Sequence, residues 1–238
     1  MTIPMDAGAA ELLHALHAAG HAAYVVGGCV RDSLLGLTPH DWDLCTSALP
    51  QQVMELFGAQ RCIPTGLQHG TVTVKQSGAL YEITTFRTEG TYTDGRHPDE
   101  VHFVPDVRQD LARRDFTINA MAYNDAEGLI DPFGGQQDLQ QGILRAVGDP
   151  ATRFEEDALR ILRLYRMYRR RCTACAVVCL RGGVSGLRFR LRVVVLVGGV
   201  HAAAAHIGIT GISAFVFILR GIIIFPFVLI VHADTSFP

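Results

Sequence analysis

Two hydrophobic periods alternate along the first 170 residues of the chain. Residues 7–19 are rich in Ala and Leu, with Leu12, Leu13 and Leu16 at helical spacing. Residues 22–26 form a short apolar run that reads as a strand ending at Gly27-Gly28. Residues 30–35 read as a helix closed by Gly36, and residues 41–46 as a strand. Residues 50–57 begin with Pro50 in a first-turn position, which suits a helix. Residues 71–75 and 80–86 are β-rich with a glycine turn between them, the signature of a hairpin. Residues 88–99 are rich in Gly, Thr and Asp and predict a mobile loop. Beyond it, 100–104 reads as a strand, 117–123 as helical and 131–135 as a turn. Residues 154–168 read as a helix whose acids come first and arginines last, matching the helix dipole. No internal repeat is visible. The sum is an α/β head with a mixed sheet, followed by the start of a helical region.

The pattern then changes abruptly. Residues 1–157 hold 22 of the 23 acidic residues and 10 of the 21 basic ones, a net charge of about −12. Residues 158–238 hold eleven arginines and one aspartate, and no Asp, Glu, Lys, Asn or Gln lies between Asp157 and Asp234. Globular sequence is ~25% charged with both signs mixed, so this tail is anomalous. Cys29, Cys45 and Cys62 are scattered through the head, whereas Cys172, Cys175 and Cys179 cluster in the tail. The cluster resembles a metal spacing but has no evident fourth ligand. Residues 1–20 lack a basic leader and Glu11 interrupts their apolar run, so the expectation is a cytoplasmic protein with reduced thiols.

Three constellations carry candidate chemistry. The first is Asp41 and Asp43. On a strand, residues i and i+2 share a face, so the two carboxylates could hold a hard divalent cation. Glu82, on a strand that could pair beside them, is a possible third. The second joins Gly27-Gly28, which lets backbone approach a phosphate closely, to Arg31 three residues on. Arg113, Arg114 and Asp115 lie downstream, and Asp115 could cap a helix starting near Thr117. The third is the stretch EEDALRILRLYR, in which Asp157, Arg160, Arg163 and Arg166 recur every three residues and so share a helical stripe. Each has a plainer reading: a solvated acidic turn, a tight strand-to-helix turn, and a salt-bridged helix surface.

Together, GGCVRDSLLG, DWDL, RRDFTINA and EDALRILR resemble the class II tRNA nucleotidyltransferase and bacterial poly(A) polymerase family. The resemblance covers about residues 8–168. It implies a polymerase-β-like palm as the head and the start of a helical neck. It also implies Mg²⁺ at Asp41 and Asp43, which would be the catalytic pair. Gly28, Arg31, Arg114, Asp157, Arg160, Arg163 and Arg166 would bind nucleotide, and Asn119 would be structural. In this family an Asp-Arg pair stands in for a nucleic-acid template. A carboxylate only accepts hydrogen bonds and a guanidinium only donates them. Asp157 and Arg160 would therefore favour cytosine or adenine, which show an amine beside a ring nitrogen, over uracil or guanine.

PTGLQHGTVTV and the full-length loop 88–100 look most like the CCA-adding members, which take CTP, ATP and tRNA. A-adding or poly(A) synthesis, or a catalytically dead nucleotide- or RNA-binding remnant, are the alternatives. No protein partner is implied. A head near −12 should by itself bind RNA weakly, because affinity rests on cations that neutralise phosphates. The expected organisation is a head over 1–145, the start of a neck over 146–168, and a tail over 169–238. The tail reads as out-of-frame translation. Its rival reading is a membrane anchor across 207–231, which Arg220 interrupts.

Overall fold

Asp6 starts the fold. Its carboxylate accepts the N–H groups of Gly8 at 3.0 Å and Ala9 at 3.3 Å and caps helix α1, Ala7–Ala18. Leu12, Leu13 and Leu16 all face the core, as their spacing predicts. The computed structural model describes residues 2–92 and 98–171, and three short strands beyond them at Ala176–Val178, Arg190–Leu191 and Ile207–Gly208.

After α1 come β1 (Ala23–Val26), α2 (Gly28–Leu34), β2 (Leu44–Thr46) and α3 (Pro50–Phe57). Then follow β3 (Cys62–Gly66), β4 (Thr71–Gln76) and β5 (Ala79–Thr85). The β4–β5 hairpin turns through Ser77 and Gly78, both with positive φ, as a two-residue turn requires. A second hairpin pairs β6 (Arg87–Glu89) with β7 (Val101–Phe103), and α4 (Val107–Ala112) follows. The head ends with β8 (Ala122–Asn124), β9 (Gly128–Ile130), α5 (Gly135–Gln141) and β10 (Ile143–Arg145). Two helices, α6 (Pro150–Glu156) and α7 (Leu159–Arg171), lie against it.

Seven strands form one mixed sheet in the order β3-β4-β5-β2-β1-β8-β9, antiparallel except where β2 and β5 run parallel. Every residue of β1 is buried, because the sheet is covered on both faces at its centre. Ala23, Val25, Leu44 and Ile83 pack toward α1 and α3 on one face, while Tyr24, Val26 and Cys45 pack on the other with Phe86 and Leu111.

Four sequence expectations change. Residues 117–123 are not a helix: a 3₁₀ turn, Thr117–Asn119, leads into β8 beside β1. Residues 115–124 are all buried, and such a run has no polar face to report its period. Asp115 therefore caps no helix there. The strand expected at 41–46 pairs regularly only from Leu44, although the Val26 N–H still donates to Asp43 O at 2.9 Å. The helix expected over 154–168 breaks at Asp157, whose backbone is extended (φ −142°, ψ 103°). Asp157 instead accepts the Leu159 N–H at 2.8 Å and starts α7. Finally, α2 starts at Gly28, two residues earlier than its apolar pattern implies.

The loop expected over 88–99 is paired at its root by β6 and β7, and its tip, 93–97, lies outside the described residues. So do Cys172, Cys175, Cys179 and most of the expected anchor, including Arg220. Among the described residues no helix is long and apolar enough to cross a membrane.

Candidate functional site

The site begins at the C-terminal end of β1, where Gly27 turns the chain. Its φ of 79° and ψ of −122° exclude other residues, and a Cβ there would stand 3.1 Å from Arg114 Nη1. Gly28, the next residue, opens α2, and one turn later α2 presents Arg31. These residues line a cavity of about 670 Å³ together with Asp43, Glu82, Arg114 and Asn119. Asp157, Arg160 and Arg163 close its other side.

Strand register explains the carboxylates. β2 and β5 pair with Leu44 beside Ile83, so the residues just before them, Asp43 and Glu82, fall side by side. Leu44 and Ile83 face the α1–α3 core, and the two acids turn to the opposite face. The Asp43 carboxyl is open to the cavity but crowded by protein. Its pKa is raised above the ordinary carboxylate value by burial first, then by Glu82 and Asp41, with Arg114 opposing. Asp41 is exposed and lies outside the cavity lining, close enough for its charge to reach Asp43. Among the described residues no group of three or more His, Cys, Asp or Glu comes together to hold a metal ion. Cys29 and Cys45 are buried beneath this wall. Burial, followed by the charge of Asp43, pushes the Cys29 thiol up to about 11, so it stays protonated and inert.

A buried ion network underlies the arginines. Asp110 is fully buried on α4 and accepts from Arg113 Nε at 2.9 Å, Arg114 Nη2 at 3.4 Å and the Arg87 N–H at 3.2 Å. Burial pushes its carboxyl up, but Arg113 and Arg114 more than reverse this and hold it below the usual range. Glu89 accepts from Arg113 Nη1 at 3.0 Å, from Arg87 Nη2 at 2.9 Å and from the Tyr92 hydroxyl. Its carboxyl is likewise raised by burial and then brought below its ordinary value by Arg113, Tyr92 and Arg87. Sequence reading missed Asp110, Glu89, Arg87 and Tyr92. The three- and four-residue spacing from Asp110 to Arg113 and Arg114 was the available signal.

The helical side is tied to the head through the same motif. Arg160 is buried. Its Nη1 donates to Glu156 Oε2 at 2.6 Å and to the Arg153 carbonyl at 2.8 Å, and its Cζ stands 5.9 Å from the centre of the Tyr92 ring. Arg163 donates to Asp115 Oδ2 at 2.7 Å while keeping an exposed side chain. Arg166 lies on the exposed side of α7, outside the cavity lining. Of the nine residues singled out as catalytic or nucleotide-binding, the structure thus brings seven to one cavity and leaves Asp41 and Arg166 off its wall.

A family model, the poly A polymerase head domain, matches residues 23–145. Among curated relatives, the CCA-adding enzyme of Ligilactobacillus salivarius is 52% identical over 158 residues, which are 66% of this chain and 39% of that protein. Among solved structures, the Bacillus stearothermophilus CCA-adding enzyme in complex with CTP superposes with a TM-score of 0.62 at 43% identity. The match covers 69% of this chain and 40% of that one. The Thermotoga maritima CCA-adding enzyme complexed with tRNA gives a TM-score of 0.56 at 29% identity, covering 72% of this chain and 38% of that one. The chain spans about two fifths of the length of these relatives.

Proposed function

This chain belongs to the poly A polymerase head-domain family, and we propose that it carries the nucleotidyl-transfer centre of a CCA-adding tRNA nucleotidyltransferase. The observation behind this reading is a single cavity with two unlike walls. Asp43 and Glu82 stand on one, with Gly28, Arg31 and Arg114 beside them, and Asp157, Arg160 and Arg163 stand on the other. The proposed head runs to residue 145 and the start of the neck from 146.

In the proposed reaction, the 3′-hydroxyl of a tRNA ending before CCA attacks the α-phosphate of CTP or ATP. A new P–O bond forms, the bond to the β-phosphate breaks, pyrophosphate leaves and the hydroxyl proton is lost. Arg31 and Arg114 place fixed cations beside Gly27 and Gly28 and suit the triphosphate. Asp157 and Arg160 suit the base, because an acceptor beside a donor pairs with cytosine or adenine. Glu156 holds the Arg160 guanidinium in place, so the pair reads the base from a preset geometry. The donors at Asp43 are hard carboxylate oxygens, and burial followed by the charges of Glu82 and Asp41 raises the proton affinity of Asp43, which a divalent cation would relieve. Mg²⁺ fits, since it takes one or two carboxylates and completes its shell with water and substrate phosphates. When bound, it would lower the pKa of the attacking hydroxyl and stabilise charge on the pyrophosphate.

The test is label transfer from α-³²P-CTP and, separately, α-³²P-ATP to tRNA ending before CCA, with Mg²⁺, by the chain and its Asp43→Ala variant. Incorporation of C and then A, lost in the variant, supports the reading. Incorporation of A alone, in a run longer than one, would assign poly(A) synthesis instead. CTP binding without transfer would leave a nucleotide-binding remnant.

A further inference from the structure

Asn119 is 5% exposed and stands at the junction of three elements that the proposed chemistry treats separately. Its Oδ1 accepts from Arg31 Nη1 of α2. Its Nδ2 donates to Asp115 Oδ1 at 3.1 Å and lies 3.8 Å from Met167 Sδ of α7. Asp115 also accepts its own neighbour's N–H, from Phe116 at 2.8 Å, and its other oxygen takes Arg163 Nε of α7 at 2.7 Å. A continuous line of hydrogen bonds therefore runs Arg31–Asn119–Asp115–Arg163, from the phosphate side of the cavity to its helical side.

The chemistry of this line fixes its direction. Arginine can only donate and an ionised carboxylate can only accept. The group between them must accept at one end and donate at the other without carrying charge, and an amide of this reach does so. The amide orientation follows from its partners and does not depend on distinguishing oxygen from nitrogen. The line is buried in the middle, and hydrogen bonds in such a chain polarise one another, so moving one arginine changes the strength of the other's hydrogen bond. Arg163 is more than half exposed and Arg31 mostly covered, so the ends differ in how readily they adjust.

We infer that Asn119 is a positioning residue that couples Arg31 to Arg163, so that the triphosphate and nucleoside ends of an incoming nucleotide are gripped together. This rests on the proposed function, since it takes both arginines as nucleotide contacts. The amide of Asn119 is taken up by Arg31 and Asp115. Through them it sets the two arginines that would meet the nucleotide.

A double-mutant cycle on CTP binding to the full chain, at fixed Mg²⁺, tests the coupling. Arg31→Ala, Arg163→Ala and the double variant are compared, first with Asn119 and then with Asn119→Asp. The expected result is that with Asn119 the double variant loses roughly three- to tenfold less affinity than the product of the two single losses, the scale of coupling between residues in one network. With Asn119→Asp the losses multiply. That side chain keeps the shape and still accepts from Arg31, but it cannot donate to Asp115 and sets a carboxylate against it. Simple multiplication with Asn119 in place would overturn the inference while leaving the proposed function standing. Failure of the unaltered chain to bind CTP would overturn both. The cycle with Asn119 in place leaves the buried amide untouched, so it stays decisive even if Asn119→Asp does not fold.

Discussion

The two walls of the cavity are built by different means. Asp43, Glu82 and Gly27 belong to a sheet whose backbone pairing sets their positions: register puts the acids side by side, and a positive φ turns the glycine. Asp157, Arg160 and Arg163 belong to the α6–α7 segment, which meets the head through Phe154, Leu164 and Met167 and, around the cavity, through charged groups. Arg153 and Arg160 both bond Glu156, Arg160 stacks on Tyr92 and Arg163 bonds Asp115. The acids of the strand wall, Asp43 and Glu82, take their positions from backbone pairing and not from their charges. On the helical wall the charges are part of the joint, beside the apolar contacts of Phe154, Leu164 and Met167. Removing the charge of Asp43 should therefore cost activity alone, whereas removing a charge that joins the helical wall to the head should cost activity together with geometry.

Asp43→Asn gives the largest expected effect. Label transfer should fall by roughly 10³-fold, the scale of removing a preorganised electrostatic group. Stability should move the other way. The folded Asp43 pKa is raised, so the folded state holds the proton more tightly than the unfolded chain does. Its contribution is most favourable below the ordinary carboxylate pKa and is lost as pH rises through the raised value. At pH 7 the charged group is therefore a cost that Asn removes, and the variant's melting temperature should rise by a few degrees. Near pH 3 the two proteins should melt together. A lower melting temperature at pH 7 would show that the carboxylate holds the wall together.

Asp110→Ala should break the network beneath the arginines. It leaves Arg113 and Arg114 buried beside an uncompensated gap, an effect of about 3–5 kcal/mol by the usual cost of removing one partner of a buried pair. Denaturant midpoints would measure it. The pH dependence has the opposite sign to Asp43. The folded pKa values of Asp110 and Glu89 are lowered, so their contribution is present above the ordinary carboxylate range and is lost as pH falls through the lowered values. Stability of the unaltered chain should fall in acid, and Asp110→Ala should flatten that fall. An unchanged acid limb would mean that other groups govern it.

The same contrast explains what could be read before the structure. α1, α3, β1 and the β4–β5 hairpin announce themselves through period, Pro50 and the Ser77-Gly78 turn, all local signals. Gly28, Arg31, Asp43 and Arg114, which line one cavity, stand out in the sequence as candidates because the motifs around them are dense. What local pattern could not report was tertiary. Residues 117–123 look helical until β1 claims Ala122 and Tyr123 as a strand partner. Asp157 looks like one more residue of a three-spaced stripe until its side chain takes the Leu159 N–H and ends one helix to start another. Asn119 reads as structural because nothing in TINAM indicates that its amide will face Arg31, 88 residues earlier in the chain.

A smaller effect is expected at Glu156→Gln, which keeps the shape and one acceptor but removes the charge that Arg153 and Arg160 share. The CTP KM should rise by roughly fivefold, about 1 kcal/mol, the net worth of a hydrogen bond, with kcat nearly unchanged. Added salt should reproduce part of the loss in the unaltered chain and little further loss in the variant, because the joint there is already neutral. A change in kcat without one in KM would place Glu156 in the chemical step.

Arg166→Ala should have the smallest effect and is the sharpest check on the stripe. Sequence spacing alone groups Arg166 with Arg160 and Arg163. All three lie on α7, however, where a three-residue step falls about 60° short of a full turn, and the row drifts until Arg166 stands on the exposed side, outside the cavity lining. An exposed arginine remote from bound nucleotide should change CTP affinity by less than about twofold, within the ordinary range for surface charges. Binding of RNA is a separate readout, since an exposed cation can still meet a phosphate. There, loss of one contact should lower the slope of log affinity against log salt by about one unit or less. If Arg166→Ala weakened CTP binding as much as Arg163→Ala, α7 would have to rotate on nucleotide binding to bring the whole stripe inward. The helical wall would then be a moving part, as its partly charge-held construction allows and the strand wall's backbone pairing does not.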